Sequence, residues 1–398
     1  MSTPTTGSST EATPTPPPED HSEEQTKHGP SGQAALLRQI ASSPAVVGLL
    51  AVLTALILSS ILILAADSEV RYTATYLLNR PGDFLHATGS TLSEAYSSLL
   101  RGAVFDWRAT TGVRMIRPIT DTLTNATPLI IAGLGMAVAF RAGLFNIGGQ
   151  GQMILGAITA CYVGIAWNLP PVAHLLLAVV GAGLGGLVWG GIAGVLKART
   201  GANEVIVTIM LNSIAAHLLS QVLSLKAFNG EGETGNRKSL TVADAAQYPS
   251  LAGDSFRLHT GFLLALLVAV AVWWLMERSR LGFQLRATGL NADAARTAGM
   301  SVPWVTSLVM MISGALCGLA ATAPVLGTQK SMDESVVGTI GFDAITVALL
   351  GRSRPLGTVL AGLLFGALRA GGTAMQAAPG THIKIVLVLQ STIVLFIA

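Results

Sequence analysis

The sequence predicts an all-α, polytopic membrane helix bundle. Hydrophobic residues make up 51% of its 398 residues and charged residues only 11%. Mean hydropathy is +0.59. Long apolar runs recur along the chain and are separated by short, mostly basic breaks. A soluble domain carries about a quarter charged residues, so this balance excludes one. The 44 glycines suit helices that approach closely in lipid through small side chains. A net charge of +3 gives no sign of a nucleic-acid partner.

Residues 1–44 are rich in Pro, Ser, Thr and Glu and are expected to form a disordered cytoplasmic tail. The first apolar run, Ala45–Ala66, follows Arg38. A cleaved signal peptide ending at Ala65-Ala66 is the competing reading; the long leading tail and the 22-residue run favour an uncleaved anchor. About ten membrane segments follow: 45–66, 121–140, 148–167, 173–195, 203–225, 260–276, 303–326, 338–351, 356–371 and 382–398. Segment 338–351 is short and the last run is apolar to Ala398, which suits broken or incomplete spans. Together 45–398 form one transmembrane domain, with external regions 67–120 and 227–259 and a cytoplasmic segment 278–302.

Basic residues orient the chain. With the N-terminus inside, the cytoplasmic connections hold Arg141, Lys197, Arg199, Arg278, Arg280, Arg286, Arg296, Arg352 and Arg354, against only Glu277 and Asp293. The outer loop 168–172 is uncharged, and in 327–337 Lys330 is offset by Asp333 and Glu334. In the 67–120 region, Leu92–Val104 reads as a surface helix, and Tyr72, Tyr76, Tyr96 and Trp107 as an aromatic belt.

Polar groups fall where lipid makes them costly. Arg141 to Gln152 carries four glycines within nine residues, together with Asn146, Gln150 and Gln152. Irregular backbone at membrane depth survives only inside protein or facing water. Two readings stay open: the wall of a path for a neutral polar solute, or a turn whose amides satisfy its own backbone. Glu204, Thr208 and Asn212 form one stripe along a helix face, suited to lining a path or to joining helices. Glu204 reads best as an acid at a helix N-terminus. Asp343 follows Gly341 in a short span and is a functional candidate or a cap. Phe145-Asn146 and Phe342-Asp343 hold loosely similar places in two halves, a faint sign of an internal repeat.

A charged break at Arg278–Pro303 separates two apolar runs. Asn291 suits an N-cap, Asp293 the positive end of a helix, and Gly299 the turn that stops it. The helix is about two turns, roughly 10 Å long, too short to persist alone in water. A docking knob and an ordinary connecting loop fit this pattern equally.

Chemistry is sparse. No Gly-x-x-x-x-Gly-Lys-[Ser/Thr] stretch occurs, so the chain is not expected to cradle ATP, and no catalytic triad spacing stands out. Cys161 and Cys317 lie inside apolar runs and read as packing residues. The seven histidines show no metal-ligand spacing, so no metal or other cofactor is expected.

Several stretches together resemble a known family. They are Asn125–Ile130, Phe140–Gln152, Asn203–Asn212, Arg286–Gly299 and Gly341–Gly351. The combination resembles the permease subunits of bacterial ABC importers of the branched-chain amino acid and simple-sugar type, and within it the nucleoside and simple-sugar permeases. The resemblance runs from about 45 to 398. In such permeases a Glu-Ala-Ala-x-x-x-Gly segment docks on the ATPase, and Asp293-Ala294-Ala295-Arg296-Thr297-Ala298-Gly299 matches it with Asp in place of Glu. The resemblance implies ATP-binding cassette subunits that use the ATP, a second homologous permease, an external solute-binding lipoprotein, and residence in the bacterial plasma membrane among its lipids. It favours a nucleoside substrate, with a ribose- or galactose-like sugar as the alternative. Asn146, Gln150, Gln152, Asn212 and Asp343 are the expected solute path, and Asp293, Ala294, Ala295 and Gly299 the expected ATPase contact. An ATP-independent secondary transporter would instead need buried acids for ion coupling; a passive scaffold would not need the polar break.

Overall fold

The apolar runs become helices that start and stop where the sequence supplies caps, prolines and glycines. A computed structural model describes residues 44–229, 237–253, 255–376 and 391–392. The chain divides at Val47 and Gly48, and the bundle lies in the second unit. Helix α1 is Pro44–Ala66 and α2 is Ser68–Ala74. Between them Asp67 accepts the amides of Glu69 and Val70, both at 2.9 Å, and the helix axis bends by 78°. Next come α3, Pro81–Ala103, and α4, Gly112–Arg141. The apolar run at 121–140 understated α4, because Arg114 and Arg117 hide its first turns from hydropathy.

Helix α5 is Gly149–Ala166. Helix α6 is Pro171–Thr200, with Lys197 and Arg199 at its negative end and Gly201 closing it at φ 71°. Helix α7, Glu204–Leu223, is capped by the Asn203 carboxamide, which accepts from Val205 N at 2.9 Å. The short α8, Lys226–Asn229, and a 3-10 turn at Asp244–Ala246 lead to α9, Gly261–Arg278. Helices α10, Arg280–Leu290, and α11, Ala292–Thr297, precede α12, Val302–Ala320, which runs on into a π-helical turn at Ala323–Thr328. The described bundle ends with α13, Ile340–Leu350, and α14, Pro355–Gln376.

Among the described residues six helices are long and apolar enough to cross a membrane: α4, α6, α7, α9, α12 with its π turn, and α14. Four of the ten segments drawn from sequence differ from these for separate reasons. Segment 45–66 belongs to the bent pair α1–α2. Gln150 and Gln152 dilute α5, and α13 has only 11 residues. Segment 382–398 lies outside the described residues except for 391–392, and so do residues 1–43 of the tail. β structure among the described residues is limited to two isolated bridges, Lys238 with Asp333 and Ser250 with His259.

Helix α4 is the axis of the bundle. Its residues from Ala126 to Ala139 are all buried, against α9, α12, α13 and α14. Beside it, α6 and α12 cross through glycine. A Cβ at Gly186 would strike the Gly314 carbonyl, and Gly156 of α5 would meet Gly318 in the same seam. This is the small-residue contact that lets membrane helices gain dispersion energy where no water drives them together.

The 67–120 region does more than lie on the surface. Helix α3 packs on α14, where Gly371 leaves room for the Leu99 carbonyl. The Tyr96 hydroxyl lies 2.9 Å from the Leu56 carbonyl and 2.8 Å from Ser60 Oγ, so it is tied to α1. The ring is half-buried, and α1 supplies two partners for its hydroxyl. Tyr72 and Trp107 are exposed.

A strap formed by residues 237–253 and 255–259 covers one end of the bundle. Ser239 N donates to the Met332 carbonyl at 2.7 Å, Val242 N to Lys330 at 2.9 Å, and Tyr248 N to Leu326 at 2.9 Å. The strap is thus stitched to the segment 323–339 that follows α12. Connections 142–148, 279–301 and 351–354 gather at the other end.

Candidate functional site

The polar break sits between α4 and α5. Gly143 takes φ 70°, a left-handed turn that ends α4, and Asn146 then folds inward with no exposed surface. Its Nδ2 donates to Gln152 Oε1 at 3.0 Å and to Ser313 Oγ of α12 at 2.8 Å. Its Oδ1 accepts from Gln152 Nε2 at 3.2 Å and from Gly148 N at 2.9 Å. Asn146 and Gln152 therefore form a reciprocal amide pair within the apolar bundle. Such a pair stays stable there because every polar atom it removes from water has a partner.

Asn212 reaches the same break from α7. Its Oδ1 accepts from Gly151 N at 2.8 Å, and its Nδ2 donates to the Ile147 carbonyl at 2.9 Å. The stripe on α7 is thus the seam with α5: Thr208 donates to the Glu204 carbonyl at 2.7 Å, and Gly148 leaves space for Thr208. Glu204 stands in the first turn of α7 and pairs with Lys197 at 2.6 Å.

Gln150 takes a different direction. Its Nε2 donates to the Gly338 carbonyl at 2.7 Å, which ties α5 to the turn before α13. Asp343, one turn into α13, faces Arg369 of α14 at 3.2 Å. Thr339 donates to Asp343 Oδ2 at 2.9 Å and accepts from Arg369 Nη2 at 2.9 Å. The structure thus unites Asn146, Gln152 and Asn212 around the break, and sets Gln150 and Asp343 on the 338–343 turn. Ser313 and Arg369 complete these groups and escaped the sequence reading. Arg369 had a legible signal, a lone cation deep in the apolar run 355–376.

At the opposite end of α4 lies a polar cavity of about 260 Å³, lined among others by Asp121, Asn125, Arg257, Gln329 and Arg369. Asp121, Asn125 and Pro128 are spaced as one helix face and all line it. Across the strap a second cavity, of about 750 Å³, is shared by Tyr248, Arg257, His259 and Lys330. Tyr248 stacks on His259 at 5.3 Å between ring centres and bonds Thr322 Oγ1 at 2.8 Å. Burial pushes the Tyr248 hydroxyl up to about 12 and the His259 imidazole down to about 4.

The charged break folds as a capped knob. Asn291 ends α10 and starts α11, with its Oδ1 accepting from Asp293 N and Ala294 N at 3.0 Å each. Gly299 closes the turn at φ 82°. Asp293 is 89% exposed and pairs with Arg296 at 3.1 Å. Ala294 faces outward, whereas Ala295 is buried beneath it. The knob is fixed to the bundle through backbone: Gly289 of α10 packs on Gly143, so closely that a Cβ at Gly289 would come within 2.5 Å of the Arg141 carbonyl. Arg286 donates to the Met276 carbonyl, and Arg141 lies 3.6 Å from Glu277 while donating to the Ser353 carbonyl at 3.1 Å.

Broken helices and amides buried in an apolar bundle define a multi-pass membrane protein with a polar interior. Residues 119–398 match the family described as branched-chain amino acid transport system / permease component, and the chain belongs to that family. The guanosine ABC transporter permease protein NupP of Bacillus subtilis is 38% identical over 312 residues, covering 78% of this chain and 87% of the relative. The glucose ABC transporter permease protein TsgB13 of Haloferax volcanii is 37% identical over 289 residues, covering 70% and 75%. The nucleoside ABC transporter permease protein NupB of Lactococcus lactis is 34% identical over 290 residues, covering 71% and 79%.

Proposed function

We propose that this chain is the membrane-spanning permease subunit of an ATP-driven importer that passes nucleosides inward across the bacterial plasma membrane. The observation that carries the reading is the family match, together with guanosine and nucleoside permeases at 38% and 34% identity. The excess of Arg and Lys around the α10–α11 knob supports a cytoplasmic position for it and for the N-terminus. There Asp293, Ala294, Ala295 and Gly299 form the contact for an ATP-binding subunit, which hydrolyses the ATP. A second homologous permease and an external solute-binding lipoprotein complete the assembly.

Asn146, Gln150, Gln152, Asn212 and Asp343 border the solute route in this reading. The amides at the break hold its shape, and the 338–343 turn presents polar groups to the solute. Alternating access then follows from two bundle conformations to which ATP and the binding protein bind with different affinity. A simple sugar is the second reading, favoured by the glucose permease relative at 37% identity. Ion-coupled secondary transport is less well supported, since the similar proteins are ABC transporter permeases.

The test is uptake of radiolabelled guanosine and glucose into proteoliposomes holding this chain with its partner permease, ATPase and binding protein. Accumulation of guanosine that requires ATP is expected. Glucose alone would transfer the substrate to the sugar reading, and flux without ATP through an intact assembly would sink the importer.

A further inference from the structure

The cavity at the strap end of α4 has unused hydrogen-bonding capacity. Asp121 Oδ1 is buried without a partner, and Oδ2 is 3.7 Å from Arg117 Nε, beyond hydrogen-bond length. Asn125 spends its Nδ2 on the Asp121 carbonyl at 2.9 Å. Among the described residues, no hydrogen bond engages Asn125 Oδ1, the Gln329 carboxamide or the Arg257 guanidinium. A buried carboxylate oxygen with nothing to accept from costs free energy. A ligand that supplies the donors recovers that cost.

Charge on the walls is balanced. Arg369 is matched by Asp343 at 3.2 Å, and Arg257 and Asp121 line the same space with opposite signs. An uncharged solute leaves this balance of charge undisturbed. With Oδ1 unpartnered and Oδ2 held only by a long ion pair to Arg117, the Asp121 carboxylate can still accept a pair of adjacent donors that bind side by side.

We propose that this cavity is a solute-recognition subsite in which Asp121 accepts two adjacent O–H or N–H donors. Asn125 accepts from the remaining polar edge of the solute, and Arg257 and Gln329 donate to it. The assignment rests on the nucleoside-permease reading and names how that substrate is gripped. A nucleoside offers such a donor pair in two places, the 2′,3′-diol of ribose and the N–H/NH₂ edge of guanine. Arg257 comes from the strap and lines both cavities, so the strap contributes directly to the grip.

The experiment compares transport of guanosine, inosine and 2′,3′-dideoxyguanosine by the complete assembly in proteoliposomes, with wild type or Asp121→Asn. Both use the same binding protein, so any change in preference arises in this chain. Wild type should prefer guanosine over one analogue, and Asp121→Asn should reduce that preference about tenfold or more. Loss of the preference over dideoxyguanosine assigns the ribose diol; loss of the preference over inosine assigns the guanine edge. If both preferences survive in a correctly inserted Asp121→Asn assembly, the subsite is wrong while the nucleoside reading stands. If Asp121→Asn fails to insert, Arg257→Ala on the exposed strap carries the test. It should insert normally and slow guanosine transport about tenfold, and an unchanged rate overturns the proposal. A wild-type assembly that moves glucose and no nucleoside removes the nucleoside reading and this inference together.

Discussion

The Arg369 guanidinium lies 3.2 Å from the Asp343 carboxylate, with Thr339 bonded to both. Removing one partner leaves the other charge inside the bundle without compensation. Breaking a fully buried pair costs about 3–5 kcal/mol. Here the side chains remain 29% and 23% exposed, which reduces the expected cost to about 1–2 kcal/mol. Asp343→Ala and Arg369→Met should each lower the thermal midpoint of the purified protein, and the double variant should recover part of the loss. Strict additivity of the two losses would show that the pair is not coupled.

The seam between α6 and α12 predicts a contrast between two glycines on one helix. A Cβ at Gly181 would make an ordinary 3.5 Å contact with Val163, so Gly181→Ala should be neutral or gain up to about 1 kcal/mol from helix propensity. Gly186→Ala drives a methyl group into the Gly314 carbonyl and should cost about 1–3 kcal/mol. Detergent melting curves of the two variants decide the matter. Equal midpoints would mean that the helices separate without penalty.

His259 makes the strap sensitive to acid. Its folded value of about 4 is below the unfolded 6.5, so the folded state stays neutral where the unfolded state binds a proton. Stability is therefore whole above pH 6.5 and lost as pH falls from 6.5 towards 4, to a limit of about 3 kcal/mol. Arg257 and Lys330 line the same cavity and would further oppose a third cation. Amide exchange across 237–253 should accelerate over that window in wild type and much less in His259→Phe. Parallel pH profiles would remove His259 as the cause.

On the knob, Asp293→Lys and Ala294→Trp alter exposed surface and leave the caps in place. Insertion and melting should match wild type, while ATP-dependent uptake falls at least tenfold. Asn291→Ala acts differently, since it removes two cap bonds and should loosen α11 by about 1 kcal/mol. Normal uptake by the Asp293→Lys, Ala294→Trp variant would place the ATPase contact elsewhere.

The sequence made the helices legible where hydropathy and caps agree, as at Asn203, Asn291, Gly299 and the apolar stretch from Ala126 to Ala139. It failed at edges where charge enters a helix, which is why α4 began too late. Asn146, Gln152 and Asn212 stood out because amides inside apolar runs are costly. Their distant partners were hidden, since Asn146 bonds Ser313 167 positions away and Asn212 bonds Gly151 61 positions away. Asp121 and Asn125 carried a helical spacing, but Arg257 joins them only through the strap and Gln329 only through the segment after α12. Tyr96 was legible as an aromatic residue, but not the hydrogen bonds of its hydroxyl to α1, 36 and 40 positions away.

Gly143 and Gly289 press main chain against main chain, with no side chain between them to yield. The knob and the connection that carries Asn146 therefore form a linkage without slack. A load applied at Ala294 enters α10, which Arg286 holds to the end of α9, and passes into the turn after α4. Side chains absorb small displacements by changing rotamer; touching backbones pass them on. The same chain of contacts joins the knob to the hydrogen bonds of Asn146, and through Ser313 to α12.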